Sequence, residues 1–362
     1  MRSFALKPVF LLIAFFVSEA AHAVDSSSAF ESVPDRFRSS ELTLGARGLG
    51  EICLSRDFMP DGTVCNPAFL AEAPGSQLLG RIFVGNGYAA LDTANTFVNE
   101  TLTKEDMQRL FEKDSAVMLE AHFGVVFVAK NFSAGFSPYR VQYAQEVHNP
   151  NLPVVSLHGA IERSMFFAYG DSLGGIAPEL APFSAGARVR VLERKFVHGE
   201  FSLIEATLLE PRDYLPTRKQ TAVLIDPSLG WVPPEAPWKL RFSISAYNLG
   251  HASEEFPEYP NYVDFGVGIG AEPPVRFGKF RVGLDAVDLV DAPTLIDRIR
   301  FGASYKAGLM ESMLGLRART FSGGIMFSLS VVQAGVVYEF VRDDLNDQRL
   351  QTRIATEVSI RL

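Results

Sequence analysis

Hydrophobic and polar residues alternate through most of the C-terminal half of the chain. Val263, Phe265, Val267, Ile269 and Ala271 are apolar, whereas Asp264, Gly266, Gly268, Gly270 and Glu272 between them are small or acidic. Phe280, Val282, Leu284 and Ala286 alternate in the same way with Lys279, Arg281, Gly283 and Asp285. The pattern returns at Ile299 to Ala307, Leu314 to Ala318, Ile325 to Val331, Ala334 to Phe340 and Ile354 to Leu362. A period of two gives each segment one apolar and one polar face, which is the signature of strands. Earlier strand candidates are Val117 to Val128, Phe132 to Tyr143, Val154 to Ala168, Ala187 to Val197 and Leu240 to Asn248. Turns are expected at Phe321-Ser322-Gly323-Gly324, and a Pro-rich loop at Trp231 to Trp238. Together these predict an all-β chain of about 12 to 14 strands of roughly ten residues, the length a tilted strand needs to cross a bilayer.

Two segments break the alternation. Thr103-Lys104-Glu105-Asp106 reads as a helix start, with Met107, Leu110 and Phe111 on one apolar face, and predicts a short amphipathic helix. Val24 to Gly75 lacks regular alternation and holds both cysteines, so it reads as a segment packed against or inside the strands. Ahead of it, Arg2 and Lys7 precede the apolar run Val9 to Val17 and the small-residue site Ala21-His22-Ala23. That is the layout of a cleavable secretory signal, too short to span a bilayer. The expected division is a signal peptide at 1–23, an N-terminal segment at 24–75 and the strands at 76–362, with export from the cytoplasm and cleavage near Ala23.

Composition narrows the class. The chain is 47% hydrophobic and 21% charged, which excludes disorder. Arg2, Lys7 and Glu19 together carry +1, so the chain from Val24 has a formal charge of −9 against −8 for the whole. That balance excludes nucleic acid as a partner. No 18-residue apolar run follows the signal, which excludes a helical membrane protein. Cys53 and Cys65 are the two cysteines. Outside the cytoplasm they are expected to pair, which contributes about 3 kcal/mol for so short a loop; two reduced, buried thiols are the alternative. No CxxC or paired-His spacing points to zinc, and no cofactor is implied.

A secreted β-sandwich also alternates, so the polar face decides. Here that face is rich in Gly, Ser and isolated charges while the other is continuously Val, Ile, Leu and Phe. Lipid outside and a polar lumen inside fit that division, and closure satisfies every backbone group. Phe supplies 29 aromatic residues against 10 Tyr and 2 Trp, which suits a lipid-facing band. Tyr139, Tyr143, Tyr247, Tyr262, Tyr305 and Tyr338 are candidates for interfacial girdles. The chain ends in alternating Val358, Ile360 and Leu362, as in a closing strand, although without a terminal aromatic. The expected fold is a transmembrane antiparallel β-barrel of about 14 strands in an outer membrane, with lipid as its surroundings.

Leu44-Gly45-Ala46-Arg47-Gly48-Leu49-Gly50, followed by Asn66-Pro67-Ala68-Phe69-Leu70, resembles the start of the FadL-type long-chain fatty-acid transporters. The PorV-like secretion-associated and TraF-like conjugation-associated barrels begin similarly. Tyr247-Asn248-Leu249-Gly250 resembles the Asn-Leu-Gly turn of that superfamily, and Val282-Gly283-Leu284-Asp285 the strand after it. The resemblance spans most of the chain after the signal. It implies a Gram-negative outer-membrane barrel of about 14 strands, with residues 24–75 as a hatch in the lumen and Asn66, Pro67 and Ala68 within it. Phe69 and Leu70 would then contact a ligand. Pro67 restricts Asn66 to an extended conformation, and the Asn side chain can bond backbone groups left unpaired; a simple loop-to-strand turn is the other reading. The insertion of Cys53 to Cys65 just ahead of the motif departs from the family and bears on how freely a hatch would move.

Other motifs lead elsewhere. Gly170-Asp171-Ser172-Leu173 matches the core of a serine esterase family, but neither His198 nor His251 is preceded by Asp three residues earlier, as such chemistry normally requires. A turn after a strand is expected, and no enzyme activity. Gly266, Gly268 and Gly270 lack the helix of a dinucleotide site and read as lumen-facing strand positions. His122, His148 and His158 have no ligand spacing. Alternating charges such as Arg188, Arg190, Glu193, Lys279, Arg281, Asp285, Arg300, Lys306, Arg317, Arg319, Glu339, Arg353 and Glu357 either fill the lumen as cross-strand ion pairs or line a selective pore. Two functions follow. One is passage of hydrophobic or amphipathic small molecules through a hatch-gated lumen. The other is docking of secretion or conjugation proteins. A serine esterase is a remote third.

Overall fold

A computed structural model describes residues 43–56, 65–73, 75–85, 103, 104, 107, 117–148, 153–234, 236–254, 256, 259, 263–290, 294–318, 320–342 and 350–362. The signal expected at residues 1–23 lies outside these residues. So does most of the helix expected after Thr103, of which Lys104 and Met107 are helical.

The strands are β1 (Gln77–Gly85), β2 (Val117–Ala129), β3 (Phe132–His148), β4 (Val154–Ser172), β5 (Phe183–Ser202) and β6 (Arg218–Trp231). β7 comes in two pieces, Arg241–Tyr247 and Leu249–Ala252, on either side of Asn248. They continue as β8 (Asp264–Ala271), β9 (Lys279–Ala286), β10 (Ile299–Ala307), β11 (Met310–Arg317), β12 (Thr320–Ser328), β13 (Val332–Arg342) and β14 (Leu350–Arg361). Each pairs antiparallel with its sequence neighbours, and β1 pairs with β14, so the 14-strand sheet closes on itself and has no edge to satisfy. At the seam, Leu78 and Leu362 exchange both backbone hydrogen bonds, each 2.9 Å.

Alternation sorts the two faces as the sequence implied. Ile82, Phe123, Phe136, Met165, Phe167, Val223, Ile225, Leu314 and Phe327 point outward and are exposed, forming an apolar belt. Inward positions carry Gly, Ser and buried charges such as Glu120, Arg140, Glu162, Arg188 and Asp226. Among the tyrosines, Tyr139, Tyr305 and Tyr338 are exposed as girdle residues would be, whereas Tyr143 is buried and Tyr262 lies outside the described residues. Phe321 to Gly324 is strand, not turn: these residues sit within β12 and pair with β11 and β13. Gly324 fits an inward, crowded position and Gly323 an open outward one, which composition alone cannot tell from a turn.

The longest connections, among them 203–217 and 287–298, lie at one end of the barrel, the long-loop end. Beyond the belt at the long-loop end, outward-facing Leu119, Val141, Val155, Ile161, Val197 and Phe201 form a buried cluster with Met107, Ala206 and Leu215 from the loops. Strands that outrun the lipid keep an apolar outer face, and loop segments cover it in place of acyl chains.

Candidate functional site

Residues 43–56 and 65–73 are buried against the inward faces of the strands rather than forming a layer of their own. Thr43 caps the short helix Leu44–Gly48, its hydroxyl accepting from the Ala46 amide. Gly50 then turns the chain with φ +64°, a left-handed conformation that glycine adopts without strain. Behind this path, Gly270, Gly283, Gly302 and Gly315 stand directly opposite one another across β8, β9, β10 and β11. They make one continuous row. A Cβ at Gly315 would collide with the backbone of Leu49 and Gly50, one at Gly302 with the Leu49 carbonyl, and one at Gly270 with the Ser55 carbonyl. A matching contact closes the other end of the path, where Gly170 and Gly186 leave room for Pro67. The glycines expected to face the lumen therefore do, and they let one backbone lie directly on another.

Polar groups fix the segment in this track. The buried Asp285 carboxylate accepts three backbone amides, from Cys53 (2.6 Å), Leu54 (2.7 Å) and Ser55 (3.0 Å). Glu357 accepts the Leu44 amide at 3.0 Å and Ser322 the Gly50 amide at 3.1 Å. Arg47 pairs with Glu120 and lies over the Phe83 ring, and Glu51 pairs with Arg300 and Arg317. Charged groups removed from water are tolerable only when paired in this way. Cys53 and Cys65 are disulfide-bonded, with Cα atoms 5.6 Å apart. Asn66 donates to the Leu54 carbonyl at 3.2 Å and accepts from the Ala68 amide at 3.2 Å, while Ser228 accepts the same amide at 2.8 Å. Phe69 and Leu70 are buried, the former beneath Gly230 and Arg241, the latter against Val128 and Ala168. Asn248, which donates its amide to Asp226 at 2.9 Å and accepts from Arg190 at 2.7 Å, has φ +60° and breaks β7, after which Leu249 and Gly250 resume pairing with β6.

Sequence inspection missed the second part of the site. Between the pairs Phe123–Tyr139 and Val125–Phe136, β3 carries one residue more than β2, and the same bulge shifts β3 against β4. Its cause is Pro138, which has no amide to donate to a ladder. The Ser137 hydroxyl donates to the Phe123 carbonyl at 3.0 Å and replaces part of the lost bonding. At this bulge lies a cavity of about 70 Å³. Most of its lining faces inward, including Arg81, His122 and Arg140, and it also touches the outward-facing residues Val125, Phe136 and Met165 at the bulge. Arg140 pairs with Glu162 at 2.8 Å, Arg188 and Arg190 both pair with Asp226 at 2.7 Å, and Arg81 donates to the His122 ring at 2.6 Å. These cross-strand pairs match the first of the two readings given for the alternating charges, ion pairs that fill the lumen. A proline in an alternating stretch was the one available signal for the bulge.

The esterase reading has no geometry. Ser172 ends β4, where its hydroxyl donates to the Ala181 carbonyl and accepts from the Gly174 amide. It pairs with Ser184, while His198 stands fourteen positions further along β5. Among the described residues, no group of three or more His, Cys, Asp or Glu side chains is arranged to hold a metal ion.

A closed barrel of fourteen antiparallel strands, apolar outside and polar within, defines the class as a transmembrane β-barrel, and its fold is that of the FadL-type barrels. The toluene transporter TbuX of Ralstonia pickettii is similar with a TM-score of 0.54 at 10% identity, over 90% of this chain and 99% of that one. The toluene transporter TodX of P. putida is similar with a TM-score of 0.51 at 10% identity, over 87% of this chain and 97% of that one. No family model and no curated protein sequence matches the chain.

Proposed function

We propose that this protein is an outer-membrane channel for hydrophobic or amphipathic small molecules, in which residues 24–75 act as the hatch across the lumen. The observation that carries the reading is the cavity at the β3 bulge, which joins lumen-facing to lipid-facing residues within the apolar belt. An apolar solute that meets the hatch has a way out through the wall there. The fold shared with two toluene transporters supports the substrate class. The glycine track, the Asp285 cap and the disulfide favour a route around a seated hatch over its displacement. Location in a Gram-negative outer membrane after removal of the signal near Ala23 is part of the same proposal. No observation favours docking of secretion or conjugation proteins.

The test is flux into vesicles. Vesicles carrying the protein should take up toluene several-fold faster than protein-free vesicles, and equal rates would end the reading. Deleting residues 24–75 should leave a folded barrel, because the strands supply their own hydrogen bonds, and should speed liposome swelling by small polar solutes. Unchanged swelling would remove the hatch from the proposal.

A further inference from the structure

His158 and His198 are forty residues apart, and no ligand spacing links them in the sequence. The strand register puts them directly opposite each other on the inward faces of β4 and β5, near the long-loop end. Their Nδ1 atoms face each other at 3.4 Å, with the rings inclined at 68°. Two imidazole nitrogens bound to one zinc ion at about 2.0–2.1 Å and the tetrahedral angle lie about 3.4 Å apart. We propose that the cross-strand pair His158 and His198 chelates a divalent transition-metal ion, zinc(II) by its spacing, through the two Nδ1 atoms.

The hydrogen bonds around the pair are compatible with the tautomer that a ligand needs. The Tyr259 hydroxyl donates to Gln142 Oε1 at 3.2 Å. Its oxygen is then open to accept in the 2.7 Å contact with His158 Nε2, in the tautomer protonated at Nε2. In that tautomer, which metal binding would select, the lone pair of His158 lies on Nδ1, facing His198. A ligating histidine is commonly oriented in this way, with its second nitrogen donating to a fixed acceptor. Arg194 stacks on the Tyr259 ring and pairs with Glu162. One register step further toward the long-loop end, Ser156 donates to Glu200 at 3.0 Å, and Glu200 is exposed. Water reaching the ion from that side would complete a tetrahedron with two protein ligands. Bound metal would tie the two longest strands together at the mouth and hold Tyr259 over the lumen.

The experiment is calorimetric titration of zinc chloride into the metal-free, full-length mature protein in detergent, with heat-modifiable migration confirming that each variant is folded. One saturable site per chain is expected. His198→Gln should weaken it at least tenfold, and Tyr259→Phe by about tenfold, the usual range for losing an outer-shell partner. His251→Gln, on β7, should leave it unchanged. Copper(II) in place of zinc should give a paramagnetic resonance spectrum with coupling to two nitrogens, reduced to one in His198→Gln. Absence of saturable zinc binding, or binding as tight as wild type in either His198→Gln or Tyr259→Phe, would overturn the proposal.

Discussion

The inner wall of this barrel solves one problem in two ways. Across β8 to β11, the inward positions at one level are Gly270, Gly283, Gly302 and Gly315, and the backbone of residues 49–55 lies directly on them. Across β1 to β5 the corresponding face carries Arg81, His122, Arg140, Arg188 and Arg190, and a cavity stands where the other half has a packed backbone. Both halves obey the same alternation, apolar outside and polar inside. What differs is the size of the inward side chain, and that decides where the inner segment sits and where space remains. A barrel can thus be packed against an inner backbone at one place and hold a cavity at another without any change of strand pattern.

The contrast can be broken most sharply on the glycine side. Gly315→Val forces a side chain into the Leu49–Gly50 backbone and should cost more than about 3 kcal/mol, beyond ordinary overpacking because backbone cannot swing aside. Gly80→Ala, at a position that nothing approaches within 4 Å, should change stability by less than about 0.5 kcal/mol. Guanidinium unfolding midpoints of the detergent-solubilised protein would measure both. Equal shifts would mean that the row is not a seat.

Removing the covalent and ionic ties should have smaller effects. Replacing Cys53 and Cys65 together by Ser is expected to cost about 3 kcal/mol, since the bond closes a short loop, and the same loss should follow reduction of the wild type. Asp285→Asn keeps the shape but removes the charge that three amides point to, for an expected loss of about 2 kcal/mol. A double variant that loses much less than the sum would show that the disulfide and the Asp285 cap hold the same turn.

Much of this architecture was legible in the sequence because a barrel strand writes its two faces into alternate residues. The strands from β8 to β14 were all recognisable on that ground, and so was their closure by Val358, Ile360 and Leu362. β1 and β6 escaped. In β6 the inward positions include Ala222 and Leu224 beside outward Val223 and Ile225, so both faces are apolar and the alternation disappears. The inward glycines were visible, but their alignment into one row is a property of register, which no single strand records. For the same reason His158 and His198 had no apparent connection. The β3 bulge depends on one proline whose consequence appears only once its neighbours are known.

The central claim is that apolar solutes leave the lumen through the wall at the β3 bulge. Ser164 lines that cavity from β4 and pairs with Ser137 at the bulge, so Ser164→Trp would fill it while leaving the glycine row and the disulfide untouched. Uptake of radiolabelled toluene by vesicles holding matched amounts of heat-modifiable wild-type and variant protein tests the claim most directly. The account predicts that the variant falls at least fivefold, toward the rate of protein-free vesicles. Uptake equal to wild type would contradict it.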